Sequence, residues 1–238
     1  MDTAPESAGP TIASREDWLA ARRALLAEEK ALTHAREALA AKRRALPWVR
    51  VDAAYAFETP EGPCGLADLF GTSRQLIVQH FMFGRDWAEG CVSCSFWADG
   101  FNGLTAHLAA RDTAFALVST APLATIEAYR ARMGWDLRWV SDSGGDAGSF
   151  SADFGVSFPA DAGPLPYNFG TGTFSGTDAP GISVFARRGG EVFHSYSTYA
   201  RGLDMLNATY HLLDLTPNGR DEDDLPWTMA WLRRHDAY

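Results

Sequence analysis

An α/β domain built on a mixed sheet, with a long helical segment in front of it, is the fold this sequence predicts. Three observations predict it. Apolar runs of strand length alternate with helical periods between Leu76 and Val140. Near the C-terminal end, the turn signal Arg187-Arg188-Gly189-Gly190 separates two further apolar runs, as in a hairpin. Ahead of both, Trp18, Leu25, Leu32, Leu39 and Leu46 recur every seven residues. Alternating strands and helices ask for parallel pairing, and the hairpin adds antiparallel strands, which makes the central sheet mixed and puts helices on its faces.

Residues 1–13 are small and polar, carry Pro5 and Pro10, and are expected to be disordered. Residues 14–47 are expected to form a helical arm. Ser14 and Asp17 have the spacing of an N-terminal cap, and Pro47 stops the helix because it has no amide hydrogen to offer. One large apolar residue per heptad is a narrower stripe than a coiled coil needs. The stripe suits packing on the chain's own domain, or a homodimer made through this helix. A main domain is expected over 48–220. It opens with short extended pieces at Trp48–Val51 and Tyr55–Phe57, a turn at Thr59–Gly62, and a helical turn at Gly65–Phe70.

The strand Leu76–Phe83 follows, then a polar turn, Gly84–Gly90, and then the pair Cys91 and Cys94. Helical spacing resumes with Phe96, Trp97, Phe101, Leu104 and Leu108. These aromatics, with Phe81 and Phe83, are read as core before pocket. Ala114–Ser119 reads as a strand, Leu123–Met133 as a helix opened by Pro122 and stopped by Gly134, and Leu137–Val140 as a strand. A loop over 141–149, a short helix over Phe150–Phe158 and a Pro-, Gly- and Thr-rich loop over 159–179 lead to Pro180. The hairpin pairs Gly181–Phe185 with Val192–Ser197, and a helix closes the domain over Gly202–Leu213. Residues 221–238 are a tail, acidic and then aromatic, with Trp227 and Trp231 free to pack on the body or on a partner.

The composition narrows the function classes. With 238 residues and 46% hydrophobic content, the chain can build one sizeable core. No apolar run is long enough to span a membrane, and no signal-peptide core precedes the helix, so a cytoplasmic location is expected. The net charge is −9. Residues 1–50 hold nine Lys or Arg against seven Asp or Glu, and the rest hold twelve against twenty-three. An acidic body repels phosphate backbones, so no nucleic-acid partner is expected.

Three cysteines are too few for a disulfide framework. A Cys-x-x-Cys delivered by a strand to a helix start instead suggests redox chemistry. The thiolate is the attacking form, and free amides with the positive dipole end at a helix N-terminus favour it. Cys91 is therefore the expected nucleophile, and Cys94, one turn on, the resolving thiol. Arg85 adds positive charge nearby, while Asp86 and Glu89 oppose it. Asp99 is a candidate proton carrier for Cys94 against a plain solvated face. Cys64 reads as an ordinary free thiol or a second resolving cysteine. No cofactor is required. The alternative is a copper, iron or zinc site using Cys91 and Cys94 with His80 or His194; structural zinc wants four ligands, whereas thiolate with imidazole suits copper.

The strand into Cys91-Val92-Ser93-Cys94, the β-α unit after it, Pro180 before a strand, the Arg-Gly-Gly hairpin and the closing helix together resemble the thioredoxin-like superfamily. The opening Glu58-Thr59-Pro60-Glu61-Gly62…Leu66-Ala67-Asp68-Leu69 looks like the start of its peroxiredoxin and thiol-reductase branch. More narrowly, the strings HFMFG, GCVSCSFWADGF, EAYRARMGW and VFHSYSTYARG resemble a bacterial thioredoxin-like family of unassigned role, described as predicted dithiol-disulfide oxidoreductases. The resemblance implies a thioredoxin-like mixed sheet flanked by helices. It implies a cis Pro180 facing the dithiol, with the backbone at Gly181 and the side chains of Trp87 and Arg85 beside the substrate. That substrate is a disulfide-containing protein or a small-molecule thiol. The sequence departs from the superfamily at Gly90, where an aromatic usually precedes the first cysteine. A peroxiredoxin-like peroxidase, a further alternative, would carry Pro and Thr or Ser where Gly84 and Ala88 stand, so the resemblance favours a dithiol enzyme.

Overall fold

The computed structural model describes residues 11–142, 149–161 and 163–238. Residues 1–10 of the expected disordered start and 143–148 of the expected loop lie outside the described residues. The chain divides into two compact units, residues 1–46 and 47–238.

Among its described residues the first unit holds one helix, α1 (Arg15–Arg44). Ser14 caps it, its hydroxyl accepting from the Asp17 amide at 3.1 Å and donating to the Asp17 carboxylate at 2.7 Å. Glu16 and Asp17 lie in its first turn and Lys42, Arg43 and Arg44 in its last, so both ends complement the helix dipole. Its 30 residues rise about 45 Å at 1.5 Å each. None of them is buried; Trp18, Leu25, Leu32 and Leu39 are all exposed.

The second unit is built on strands β1 (Val49–Arg50), β2 (Ala56–Thr59), β3 (Gly62–Gly65), β4 (Gln75–His80), β5 (Thr113–Ser119), β6 (Trp139–Ser141), β7 (Leu165–Tyr167), β8 (Gly172–Phe174), β9 (Gly181–Arg188) and β10 (Glu191–Tyr199). Eight form one sheet in the order β1-β10-β9-β4-β5-β6-β2-β3, and β7 pairs with β8 alone. β4, β5 and β6 run parallel, while β9 lies antiparallel to both β4 and β10. The expected class, a mixed central sheet flanked by helices with a long helix earlier in the chain, is the one observed.

β4 and β5 are covered on both faces, which explains their near-continuous apolar sequence. Leu76, Val78, Ala116 and Val118 point into one core with Phe57, Phe70, Phe150 and Phe185. Leu117 faces the other side with Cys94, Ala98, Ile126, Tyr129 and Trp139, the layer that carries α2 (Val92–Phe101) and α4 (Leu123–Arg132).

Several expected elements are drawn differently; the expected 159–179 loop, for one, holds β7 and β8. The apolar run from Leu76 leaves the ladder at His80, so Phe81–Phe83 form the loop into the site. The dithiol helix stops at Phe101, and Leu104 and Leu108 belong to a turn and to α3 (Thr105–Ala109), because Gly103 takes a left-handed φ of 94° between them. The helix at Phe150 ends at Asp153 as α5. The closing helix splits into a 3-10 turn over Ala200–Leu206 and α6 (Ala208–Leu213), with Asn207 capping the latter by accepting from the Tyr210 amide at 2.9 Å. Among the described residues, no helix is long and apolar enough to cross a membrane.

Candidate active site

β4 ends at the middle of the sheet, and the loop after it is folded back on its neighbours. Phe81 donates its amide to the Val118 carbonyl at 2.9 Å, Phe83 accepts from Ala121 at 2.8 Å, and Cys91 donates to the Met82 carbonyl at 3.0 Å. Gly90 fits this closure for a steric reason. A Cβ there would stand 2.7 Å from the Phe81 ring and 3.0 Å from the Tyr129 ring. An aromatic side chain, which the resemblance leads one to expect before the first cysteine, has no room here.

Cys91 occupies the N-cap of α2. Its sulfur makes no close cap hydrogen bond, but the Ser93 and Cys94 amides lie near enough to stabilise negative charge on it. Cys94 is 4% exposed and Cys91 half-buried, and both are free thiols. Hydrogen bonding from the Cys94 thiol is the largest influence holding Cys91 down, to about 6, against the opposing effect of burial; the two amides and the positive charge of Arg234 add to it. The same bond, with burial, pushes Cys94 well up. The pair is thus split into an acidic thiol and one that holds its proton.

Arg234 comes from the tail, which packs on the body. It donates to the Gly90 carbonyl at 2.8 Å and to the Tyr129 hydroxyl at 2.9 Å, and pairs with Glu89 at 2.8 Å. Tyr129 in turn meets the Ser95 hydroxyl at 2.9 Å, and Ser95 donates to the Cys91 carbonyl at 2.8 Å. Glu222 gathers the rest of the tail, accepting from Tyr210, Trp231 and the Met229 amide at 2.7, 2.7 and 3.0 Å.

Beside the dithiol lies a cavity of about 420 Å³, bounded by Gln79, His80, Cys91, Cys94, Pro180 and Gly181, with Met229 of the tail in its wall. Pro180 and Gly181 therefore share a cavity with the two sulfurs. The expected cis bond at Pro180 is not found: among the described residues every peptide is trans, the ordinary isomer for a residue before proline. The backbone there is also occupied. Ala179 donates to Val156 at 2.8 Å, Tyr167 donates to the Pro180 carbonyl, and Gly181 is registered against His80 on one side and Tyr199 on the other.

The sequence profile described as "Bacterial protein of unknown function (DUF899)" matches residues 7–238. The chain belongs to this family. No curated protein matches it. Among solved structures, this DUF899 chain is similar to a PrxQ mutant from Xylella fastidiosa, at 14% identity over 70% of this chain and 95% of that one, TM-score 0.43. It is similar to peroxidoxin BcpB from Mycobacterium tuberculosis, at 20% identity over 68% and 96%, TM-score 0.41. It is also similar to apo Sco1 from Thermus thermophilus, at 16% identity over 71% and 90%, TM-score 0.41.

Other candidate residues of this DUF899 chain fall elsewhere. Arg85 and Trp87 line a second cavity, with Asp178 and Thr120, and not the one beside the sulfurs. The cation acting on Cys91 is Arg234. His80 and His194 do not join the cysteines as a ligand set. His80 Nε2 meets Ser183 at 2.8 Å, Ser183 meets Ser197 at 2.8 Å, and Ser197 meets His194 Nε2 at 2.7 Å. Burial holds His80 down to about 3 and lowers His194 as well, so both rings are neutral at pH 7. Among the described residues, no three His, Cys, Asp or Glu side chains cluster as metal ligands would. Asp99 accepts from Trp135 at 2.7 Å and meets His235 at 2.7 Å, which makes it an anchor for the tail instead of a partner of Cys94. Cys64 sits on the edge strand β3 at one end of the sheet order, while β4 lies in its middle.

Three residues close to the chemistry escaped sequence reasoning. Arg234 and Met229 are far from the dithiol in sequence, and no local pattern marks them. Asp178 is 5% exposed, raised by burial, and accepts from Thr120 and Thr177 at 2.8 Å each; its charge acts on Cys94. Its position two residues before Pro180 was the one available signal.

Proposed function

We propose that this chain is a dithiol-disulfide oxidoreductase in which Cys91 attacks and Cys94 resolves. The observation that carries the reading is the placement of the pair: Cys91 is half-buried at the N-cap of α2, where the helix amides and Cys94 lower its thiol, and Cys94 is buried one turn on, where burial raises its own. In the reductive direction the Cys91 thiolate attacks one sulfur of a disulfide, forming a mixed disulfide and releasing one thiolate. Cys94 gives its proton to the departing thiolate and attacks the Cys91 sulfur. The second substrate thiolate leaves, and the Cys91–Cys94 disulfide remains. Two electrons pass from the dithiol to the substrate; the reverse sequence oxidises a substrate dithiol.

Two features support attack at Cys91 over Cys94. Cys91 is the more exposed residue of the pair, and the amides favour a thiolate there while burial and the charge of Asp178 oppose one on Cys94. The test is single-turnover oxidation of the reduced protein by a disulfide, read as the loss of two thiols. Cys91→Ser is expected to abolish it and Cys94→Ser to halt it at the mixed disulfide. Oxidation that persists in Cys91→Ser defeats the assignment. A hydroperoxide run in parallel reports on the peroxidase alternative, and metal analysis of the purified protein on the metal one.

A further inference from the structure

We infer that the substrate of this dithiol is a compact, largely apolar disulfide of low molecular weight, which donates an N–H or O–H group to Gln79. The inference rests on the dithiol reading above. Three observations lead to it.

The cavity beside the sulfurs has a size and a wall. Its 420 Å³ is the space of about fourteen liquid waters at ~30 Å³ each, within the range of small-ligand sites. Met82, Trp97, Phe174, Ile182, Leu203 and Met229 line it, so most of the surface it offers is apolar. Met229 is held there in a left-handed conformation, φ 69°, with its amide on Glu222.

Two residues in that wall carry a side-chain atom with no partner among the described residues, Gln79 Oε1 and His80 Nδ1, and of the two only the amide oxygen is an obligate acceptor. Gln79 is 4% exposed. Its Nε2 donates to the Cys94 carbonyl at 3.4 Å, and its Oε1 has no hydrogen-bond partner among the described residues. A buried acceptor left unpaired is destabilising, and a ligand donor would relieve it. Through Nε2 this side chain also touches the resolving cysteine, so the donor would be fixed one residue's reach from the reacting sulfurs.

The route by which an extended polypeptide would bind is closed. Strand addition needs free backbone groups beside the dithiol. Here the Ala179 amide is taken by Val156, the Pro180 carbonyl by Tyr167, and β9 is paired along both edges.

The probes are N,N′-diacetylcystamine, whose amides carry N–H groups, its N-methylated counterpart, which has none, and insulin as a protein disulfide. The full-length protein is reduced, desalted and mixed with each, and loss of two thiols is timed. Diacetylcystamine is expected to react at least tenfold faster than insulin per disulfide and severalfold faster than the N-methylated probe. Gln79→Met is expected to erase the difference between the two small probes, and Gln79→Glu, which keeps an acceptor, to preserve it. Insulin reacting as fast as diacetylcystamine, or Gln79→Met slowing both small probes equally, overturns the inference while leaving the dithiol reading intact. Should Gln79→Met fail to fold, the wild-type preference between the two small probes decides. If none of the three oxidises the Cys91–Cys94 pair, or Cys91→Ser reacts as fast as the parent, the dithiol reading itself falls.

Discussion

Cys91 and Cys64 are both half-buried, and each has an arginine nearby, yet their surroundings move the two thiols in opposite directions. On the edge strand β3, burial pushes Cys64 up, and the opposing charge of Arg138 does not reverse it. At the start of α2, burial also works against the Cys91 thiolate, but a donated thiol hydrogen bond, two free amides and Arg234 together outweigh it. One nearby guanidinium is therefore not what makes a reactive cysteine in this fold. The helix start supplies several donors aimed at one atom, whereas no backbone amide is among the influences on Cys64.

The contrast can be broken or sharpened by experiment. The largest effect is expected from exchanging the sulfurs. Cys91→Ser should slow single-turnover oxidation by on the order of a thousandfold or more, whereas Cys64→Ser should leave it within about twofold. Equal losses would mean that the edge cysteine belongs to the mechanism.

Next is the pH profile of iodoacetamide labelling, read for each cysteine by peptide mass spectrometry. With its thiol lowered to about 6, Cys91 should be mostly thiolate at pH 7, so its rate gains little above that and falls about tenfold for each pH unit well below 6. Cys64, raised above the ordinary thiol value, should still be gaining rate at pH 9. Parallel profiles would erase the distinction.

Removing single contributors should then move Cys91 part of the way toward Cys64. Cys94→Ala deletes the largest favourable contact, so the inflection should climb by a unit or more, slowing Cys91 labelling severalfold at pH 6. Arg234→Met removes the smallest named one and should cost about twofold at pH 6 and nothing above pH 8. The order of those two shifts is the critical readout. The smallest effect belongs to α1: deleting residues 1–46, a separate compact unit, should leave the labelling profile unchanged. Light scattering on the same variant reports whether the exposed Trp18 and leucine stripe makes a homodimer.

The sequence exposed the parts of this molecule that obey local rules. α1 is legible from Ser14, the heptad leucines and Pro47, because capping and helix stopping act over a few residues. The apolar runs at β4 and β5 are legible because strands buried on both faces admit little else. By contrast, β3 was hidden by Pro63, which is tolerated because an edge strand leaves one side unpaired. β7 and β8 were lost in a Pro- and Gly-rich stretch whose composition reads as loop. At the site, Cys91, Cys94, Pro180 and Gly181 do meet at one cavity, whereas the positive charge expected from Arg85 comes to Cys91 from Arg234. Proximity in sequence put Arg85 first, and the fold turned it toward the cavity of Asp178 instead.

Gly90 and Arg234 touch across 144 positions of chain, and this sets a timetable. Synthesis runs from the N-terminus, and domains fold as their residues emerge. The strand and helix that carry both cysteines are available long before residue 234 is made, as is the cavity wall that lacks only Met229. Throughout that interval the growing chain holds a dithiol without its cation and with an open side. The contribution of Arg234 to the Cys91 thiolate therefore arrives well after both cysteines have emerged.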